Sequence, residues 1–181
     1  MPDLVSILLP IATLVLGASG TLLAEGLRDK RAARREAALL VRQREQNRMD
    51  RRDSFELANL SATYANLSAL ARAVAVFHLI DMDAARRFSV DYASRQLTGI
   101  PNADEAGETM MLANRELRNM TLLLLDNDLR ELCLASSGML NLVAVGPKTI
   151  AQADQDFNAA VAHADQSQAR LADRIRQLYS V

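Results

Sequence analysis

Residues 4–24 read LVSILLPIATLVLGASGTLLA, and no charged residue falls between Asp3 and Glu25. Because a helix rises about 1.5 Å per residue, a stretch of this length crosses a hydrocarbon core of roughly 30 Å. The chain that follows is polar enough to be soluble. The sequence therefore predicts a single transmembrane anchor, residues 1–24, that carries a helical domain.

The rest of the chain is rich in residues that favour helices and poor in residues that break them. Neither Gly nor Pro occurs between residues 27 and 98, and the apolar content is mostly Ala, Leu and Val. Such composition is typical of helices. We therefore predict an all-α protein with an N-terminal transmembrane helix, a long charged helical stalk over residues 25–53 and an antiparallel helical bundle over residues 54–181.

Charge placement predicts how the anchor is oriented. A secretory signal begins with basic residues, whereas this chain begins with MPD and carries its basic residues after the apolar stretch. Residues 25–53 hold ten Lys and Arg against six Asp and Glu. Basic residues close to a span stay in the cytoplasm. This favours an uncleaved anchor over a cleaved signal, and it predicts a single-pass protein of the plasma (inner) membrane with its N-terminus outside and its C-terminal domain in the cytoplasm.

Two groups of residues near the membrane are candidate interaction sites. Small residues spaced four apart within the span allow close approach of a second helix, although they are also common in membrane helices: Gly17, Gly20, Thr21 and Ala24. Basic residues just after the span can face anionic headgroups, where each gains about 1 kcal/mol: Arg28, Lys30, Arg31, Arg34 and Arg35. The commonness of small residues in membrane helices is the favoured explanation of the first group, which stays a candidate for self-association, and we expect the second group to face the membrane surface.

The stalk allows two other interpretations. A coiled coil between copies of the chain requires apolar residues at every heptad seam position, and here they are sparse. Nucleic-acid binding is consistent with the Arg content but is opposed by six interleaved acidic residues and by the absence of aromatic stacking residues. The favoured interpretation is a solvated helix whose basic side faces the membrane.

Apolar periodicity places the bundle helices. A seam of alternating three- and four-residue spacing begins at Leu57 and ends at His78, and the spacing of Asp53 and Glu56 allows either a new helix start or a stalk that runs straight through. We expect this helix to stop near residues 81–83 and a short helix to occupy residues 84–98. The stretch GIPNADEAG, residues 99–107, is expected to form a loop, and the spacing of Asn102 and Glu105 predicts the start of a helix that ends near Leu125.

Two further helices complete the predicted bundle. Residues 126–128 mark a break or polar turn before a buried apolar helix, and Gly146–Pro147 ends that helix. The last helix runs from Thr149 to Tyr179 with a regular seam, in which Asp154 and Gln168 are polar members. Because its seam matches that of the helix before residue 81, we predict that these two helices pair antiparallel.

The sequence offers little equipment for catalysis. His78 lies on a helix seam, His163 precedes Asp165 by two residues, and Cys133 lies in an apolar run that indicates a buried, inert thiol. No Glu-x-x-His pair, phosphate-binding Gly loop, nucleophile elbow or redox Cys pair occurs. We predict a protein that is not an enzyme and that uses no cofactor or small-molecule substrate; the alternative is a metal site formed by the two histidines and Cys133.

The stretch LRDKRAARREAALLVRQRE, residues 27–45, together with the preceding span resembles the uncharacterised single-span membrane proteins of actinobacteria that carry an Arg-rich juxtamembrane helix. The preference for Arg over Lys and the abundance of Ala also suggest a GC-rich bacterial genome. The resemblance is one of layout and implies no activity.

These observations favour a membrane-anchored interaction or scaffold protein whose partner is another protein or a second copy of the chain. The alternative is a signalling or sensor subunit that relays a membrane or partner signal through the long helix. The charge distribution is consistent with both, because residues 25–53 are net basic and residues 54–181 are net acidic.

Overall fold

The computed structural model describes the backbone of residues 4–92 and 103–180, and the side chains of residues 28, 30, 31, 33–92 and 104–180. These ranges form four helices: α1 Leu4–Phe88, α2 Ala103–Thr121, α3 Asn127–Val143 and α4 Ile150–Tyr179. Among the described residues, β pairing is limited to a single antiparallel bridge between Tyr92 and Lys148. The all-α prediction is confirmed.

The chain divides into two compact units, Met1–Arg51 and Arg52–Val181. In the first unit residues 4–51 are helical, and every described side chain from Arg28 to Arg51 is exposed. The second unit is a bundle with its own apolar core, formed by the later part of α1 together with α2, α3 and α4. The predicted domain boundaries at residues 24 and 53 stay predictions.

Helix α1 is longer than the sequence pattern indicated. It continues through Asp53, so no new helix begins there, and Glu56 is paired with Arg174 rather than capping a helix. It also continues through residues 81–83, where a stop was expected, because Asp81 and Met82 are buried in the bundle. Burial of one face thus overrides the local polarity of this stretch.

The end of α1 corrects the prediction of a short helix over residues 84–98. Residues 84–88 belong to α1, which stops before Ser89, a residue with φ of 52°. That left-handed conformation is unfavourable in a helix and turns the chain away from it. Residues 93–98 of the predicted helix and residues 99–102 of the predicted loop lie outside the described residues, and residues 103–107, which were also predicted as loop, belong to α2.

Helices α1 and α4 pair antiparallel, as the matched seams predicted. Three contacts set their register: Glu56 with Arg174 at 2.7 Å, Ser68 with Gln168 at 3.0 Å and His78 with Asp154 at 3.2 Å. Gln168 and Asp154 are the polar members of the predicted α4 seam, so each interrupts the apolar pattern at a place where α1 supplies a hydrogen-bond partner.

Helices α2, α3 and α4 follow as successive neighbours. Helix α2 ends at Thr121, earlier than the predicted Leu125, and a turn leads to Asp126, whose Oδ1 accepts hydrogen bonds from the amides of Asp128 and Leu129 at the start of α3. Gly146, with φ of 76°, supports the turn after α3. Thr149 and Gln152 then form a capping box at the start of α4. These two breaks agree with the sequence signals.

Of the five buried residues of α4, four have small side chains and the fifth is Leu171, whereas the other helices contribute mainly long side chains to the core. Helix α4 contributes Ala153, Ala160, Ala164 and Ser167, all buried. Its small side chains allow the backbones of its neighbours to come close, and leucines of the other helices fill the space between them: Leu60, Leu67, Leu70, Leu117, Leu129 and Leu140.

Candidate interaction site

The five basic residues predicted to face the membrane all have exposed side chains on α1. Because successive helix residues are rotated by about 100°, these five fall within one arc of about 160° on the helix surface. Glu36 falls on the opposite half of the same helix. The arrangement gives this part of α1 a basic side, which was not evident from the charge count alone: Arg28, Lys30, Arg31, Arg34 and Arg35.

The four predicted self-association residues of the span, Gly17, Gly20, Thr21 and Ala24, are in α1, but their side chains lie outside the described residues. Among the described side chains, Ala33–Phe88 of α1 is long and apolar enough to cross a membrane by length and composition. Much of the apolar face of that segment belongs to the bundle core, where Leu67 and Val74 are buried. The predicted anchor therefore rests on residues 4–24.

A buried polar cluster joins α1, α4 and the connection after α1. The Nδ1 atom of His78 lies 3.0 Å from the hydroxyl of Tyr92, and its Nε2 atom lies 3.2 Å from Oδ1 of Asp154. The imidazole also stacks on the ring of Phe157, with centroids 4.3 Å apart. Because a carboxylate can only accept a hydrogen bond, Nε2 donates to Asp154, and in the neutral ring Nδ1 accepts from Tyr92.

The surroundings of this cluster keep Tyr92 neutral. Its side chain is fully buried, and that burial raises the pKa of its phenol well above the usual range. Nearby carboxylates, Asp81 first and then Asp154, raise the pKa of Tyr92 further. Only Asp154 of the three hydrogen-bonded residues is substantially exposed, with a side chain 49 % accessible. The cluster therefore links α1, the connection after α1 and α4, and it is not an open reactive site.

A second polar cluster lies between α3 and α4. The hydroxyl of Ser136 is 2.7 Å from Nδ1 of His163 and 2.7 Å from the hydroxyl of Ser167. Ser136 and Ser167 are both fully buried. The pairing of a serine with a histidine is a feature of some nucleophilic sites, but a nucleophile must reach its substrate. Ser136 instead satisfies polar groups where the small side chains of α4 bring the helices together.

The candidate metal ligands are not brought together. Among the described residues no three His, Cys, Asp or Glu side chains are placed to hold a metal ion. His78 binds α4 at Asp154, which precedes His163 by nine residues, or about 13 Å along the helix axis. Cys133 is fully buried as predicted, and burial raises the pKa of its thiol to about 11. The protonated thiol is a poor nucleophile and a poor metal ligand.

A groove of about 420 Å³ lies between α1 and α2 in the second unit. Its walls are largely apolar and include Ala69, Ala73, Val76 and Ala106. One charged residue of each sign also lines it, Arg72 from α1 and Glu105 from α2. No sequence signal pointed to this groove, because its two walls, residues 69–80 and 105–109, are far apart in the chain and small residues such as alanine are common in helices.

The accessible features of the described chain are thus surfaces: a basic side of α1 and an apolar groove in the bundle. The two buried polar clusters instead link helices within the bundle, α1 to α4 and α3 to α4. Comparison of the chain with protein-family models, with curated proteins and with solved structures gives no match.

Proposed function

We propose that this protein is a membrane-anchored, non-enzymatic interaction protein that faces the cytoplasm and holds a protein partner, or a second copy of itself, at the plasma membrane. The observation that carries the proposal is the succession along α1 of a 21-residue uncharged stretch and a group of exposed basic residues on one side of the helix. The first suits a hydrocarbon core and the second suits an anionic headgroup layer.

The bundle supports the non-enzymatic, binding part of the proposal. The thiol of Cys133 and the hydroxyl-bearing side chains of Ser136 and Tyr92 are fully buried. The bundle's accessible groove is lined mostly by small apolar residues, which are suited to packing against another helix. A domain of this kind is suited to binding rather than to bond-making.

Alkaline carbonate extraction of membranes from the native host tests the anchor. A transmembrane helix is retained in the membrane pellet, whereas a peripheral protein held by Arg side chains is released. Recovery of the full-length chain in the supernatant would overturn the proposal.

The role of the basic residues in orientation has its own test. Replacing Arg28, Lys30, Arg31, Arg34 and Arg35 by Gln removes the charges within about 11 residues of the span and is expected to produce mixed or inverted topology in a reporter fusion. The matched control replaces the five later arginines by Gln, and because they lie farther from the span, it leaves the orientation unchanged: Arg42, Arg44, Arg48, Arg51 and Arg52.

A signalling subunit is the second candidate, and the continuity of α1 favours it. A helix without a break from Leu4 to Phe88 can transmit a rotation or tilt, whereas a simple tether does not need one. Inserting four glycines after Gln46 interrupts the helix and distinguishes the two roles. If the variant still restores function to a host strain lacking the protein, the tether is supported; if it is retained in the membrane but restores nothing, the relay is supported.

A further inference from the structure

We propose that the groove between α1 and α2 binds the same groove of a second copy of this chain, so that the protein forms a two-fold symmetric dimer through the bundle. This inference rests on the proposed function, because it identifies the partner of the proposed interaction domain.

The apolar part of the groove is incompletely covered. Val76, which lines it, is 52 % accessible, and Leu79, less than one turn further along α1, is 68 % accessible. The small side chains of Ala69, Ala73 and Ala106 line the groove with Val76. Large exposed side chains beside a groove lined by alanines make a surface that can pack against itself. The large side chains of one copy can enter the groove of the other copy.

The charged residues of the groove make it complementary to itself. Arg72 and Glu105 are both exposed, and neither forms an ion pair within the described part of the chain. A groove with one unpaired cation and one unpaired anion is neutral overall, so it does not select a strongly charged ligand. It does match a surface that presents one anion and one cation in the reverse order.

A two-fold axis supplies that reversed surface. In an isologous interface, if residue i of one copy contacts residue j of the other, then j also contacts i. Since Arg72 and Glu105 line the same groove, an axis parallel to this part of α1 sets Arg72 of each copy against Glu105 of the other and forms two ion pairs. The α1 segments then run in the same direction in both copies, as two chains anchored in one membrane require.

The test uses the full-length chain carrying two different affinity tags, co-expressed and purified in mild detergent. The wild-type chains are expected to co-purify. Arg72→Glu places two like-charge contacts in its own dimer, and so does Glu105→Arg, so each variant should lose self-association by about tenfold or more. Co-expression of one variant with the other restores both ion pairs, and this mixed pair should co-purify as well as the wild type.

Control variants make the same charge changes outside the groove. Arg115→Glu and Glu108→Arg alter exposed residues of α2 that do not line it and should leave self-association unchanged. Co-purification of the mixed pair cannot result from an ion pair within one chain, because each variant chain carries two like charges at residues 72 and 105. A monomeric wild-type chain, undiminished self-association of the single variants, or failure of the mixed pair to recover would each overturn the inference.

The outcomes separate this inference from the proposed function. A chain that resists carbonate extraction but is monomeric overturns only the dimer. A chain that is released by carbonate yet shows recovery in the mixed pair overturns only the membrane anchor.

Discussion

Arg174 donates a hydrogen bond from Nε to Oε1 of Glu56 over 2.7 Å, and thereby joins α4 to α1 across 118 residues of sequence. The Glu56 side chain is 5 % accessible, whereas that of Arg174 is 35 % accessible. The carboxylate of Glu56 is therefore buried in the bundle, whereas the guanidinium of Arg174 that pairs with it lies at the edge of the bundle. This geometry makes the two partners unequal in their effect on stability.

Arg174→Ala is expected to lower the free energy of unfolding by about 2 kcal/mol, because it leaves the Glu56 carboxylate buried without its cation. The change is measured as a shift of the urea midpoint of the full-length chain in mild detergent. Pulsed thiol labelling provides the signal, since Cys133 is the single cysteine and is fully buried in the folded bundle.

Arg176→Ala is the matched control on the same helix. Arg176 pairs with Asp173 at the surface, where both side chains are more than half accessible, so its removal should cost less than about 1 kcal/mol. Equal losses for the two variants would contradict the assignment of Glu56 as the buried partner.

The thiol of Cys133 should be protected in the folded chain. Because its side chain is fully buried and its pKa is raised to about 11, reaction with a water-soluble thiol reagent at pH 8 requires opening of the bundle. We expect labelling at least about a hundredfold slower than in urea-unfolded protein. A Gly138→Cys variant in a Cys133→Ser background serves as the exposed control on α3 and should react at the rate of a free thiol.

Burial of Tyr92 is expected to lower the free energy of unfolding in alkaline solution. Its pKa is raised in the folded state, so the unfolded chain releases this proton first, near pH 10, while the folded chain retains it. The contribution of Tyr92 to the free energy of unfolding is therefore constant below pH 10. It is lost as the pH rises above 10, at up to about 1.4 kcal/mol per pH unit. Near-ultraviolet circular dichroism during urea unfolding at pH 7 to 11 measures the slope.

Tyr92→Phe should reduce this alkaline slope and should also lower stability at pH 7 by about 1–2 kcal/mol, because Nδ1 of His78 loses its partner. Tyr179→Phe alters a tyrosine that is 75 % accessible and should change neither quantity. An unchanged slope in the Tyr92 variant would show that other groups govern alkaline unfolding.

Two glycines are expected to respond to alanine in opposite directions. Gly146 has φ of 76°, a conformation that costs an L-residue about 1 kcal/mol, so Gly146→Ala should destabilise the turn before α4. Gly138 lies within α3, and a Cβ there would meet no atom within 4 Å, so Gly138→Ala should stabilise the bundle by about 0.5–1 kcal/mol. The expectation is met if the urea midpoint of Gly146→Ala is below that of the wild type and the urea midpoint of Gly138→Ala is above it.

The sequence predicted those parts of the fold for which local pattern and tertiary packing agree. The α4 seam is an example: its regular spacing indicated an amphipathic helix, and its two polar members, Asp154 and Gln168, contact α1. The break predicted at residues 126–128 and the helix start predicted at Thr149 likewise agree with the structure, in which Asp126 and Thr149 cap α3 and α4. In each case the information lies within a few residues of the feature that it determines.

Prediction failed where burial decided the outcome. Asp81 and Asp83 looked like a helix stop, yet α1 continues because one of them is inside the bundle and the other is exposed on the far face. The contact between His78 and Tyr92 depends on a change of chain direction at Ser89 that no turn signal marks. The groove is similarly a product of packing, since it is formed by two helices whose individual patterns say nothing about the space between them.

The antiparallel register of α1 and α4 also sets the order in which the bundle can close. Its three defining contacts span 118, 100 and 76 residues, so the first of them can form only once Asp154 has been synthesised and the last only once Arg174 has been synthesised. At about 5–20 residues per second, the 30 residues of α4 take about 2–6 s to add. Throughout that interval part of the apolar face of α1 lacks its α4 partner, and exposed apolar surface of this kind makes a newly made chain prone to associate with chaperones or with other chains.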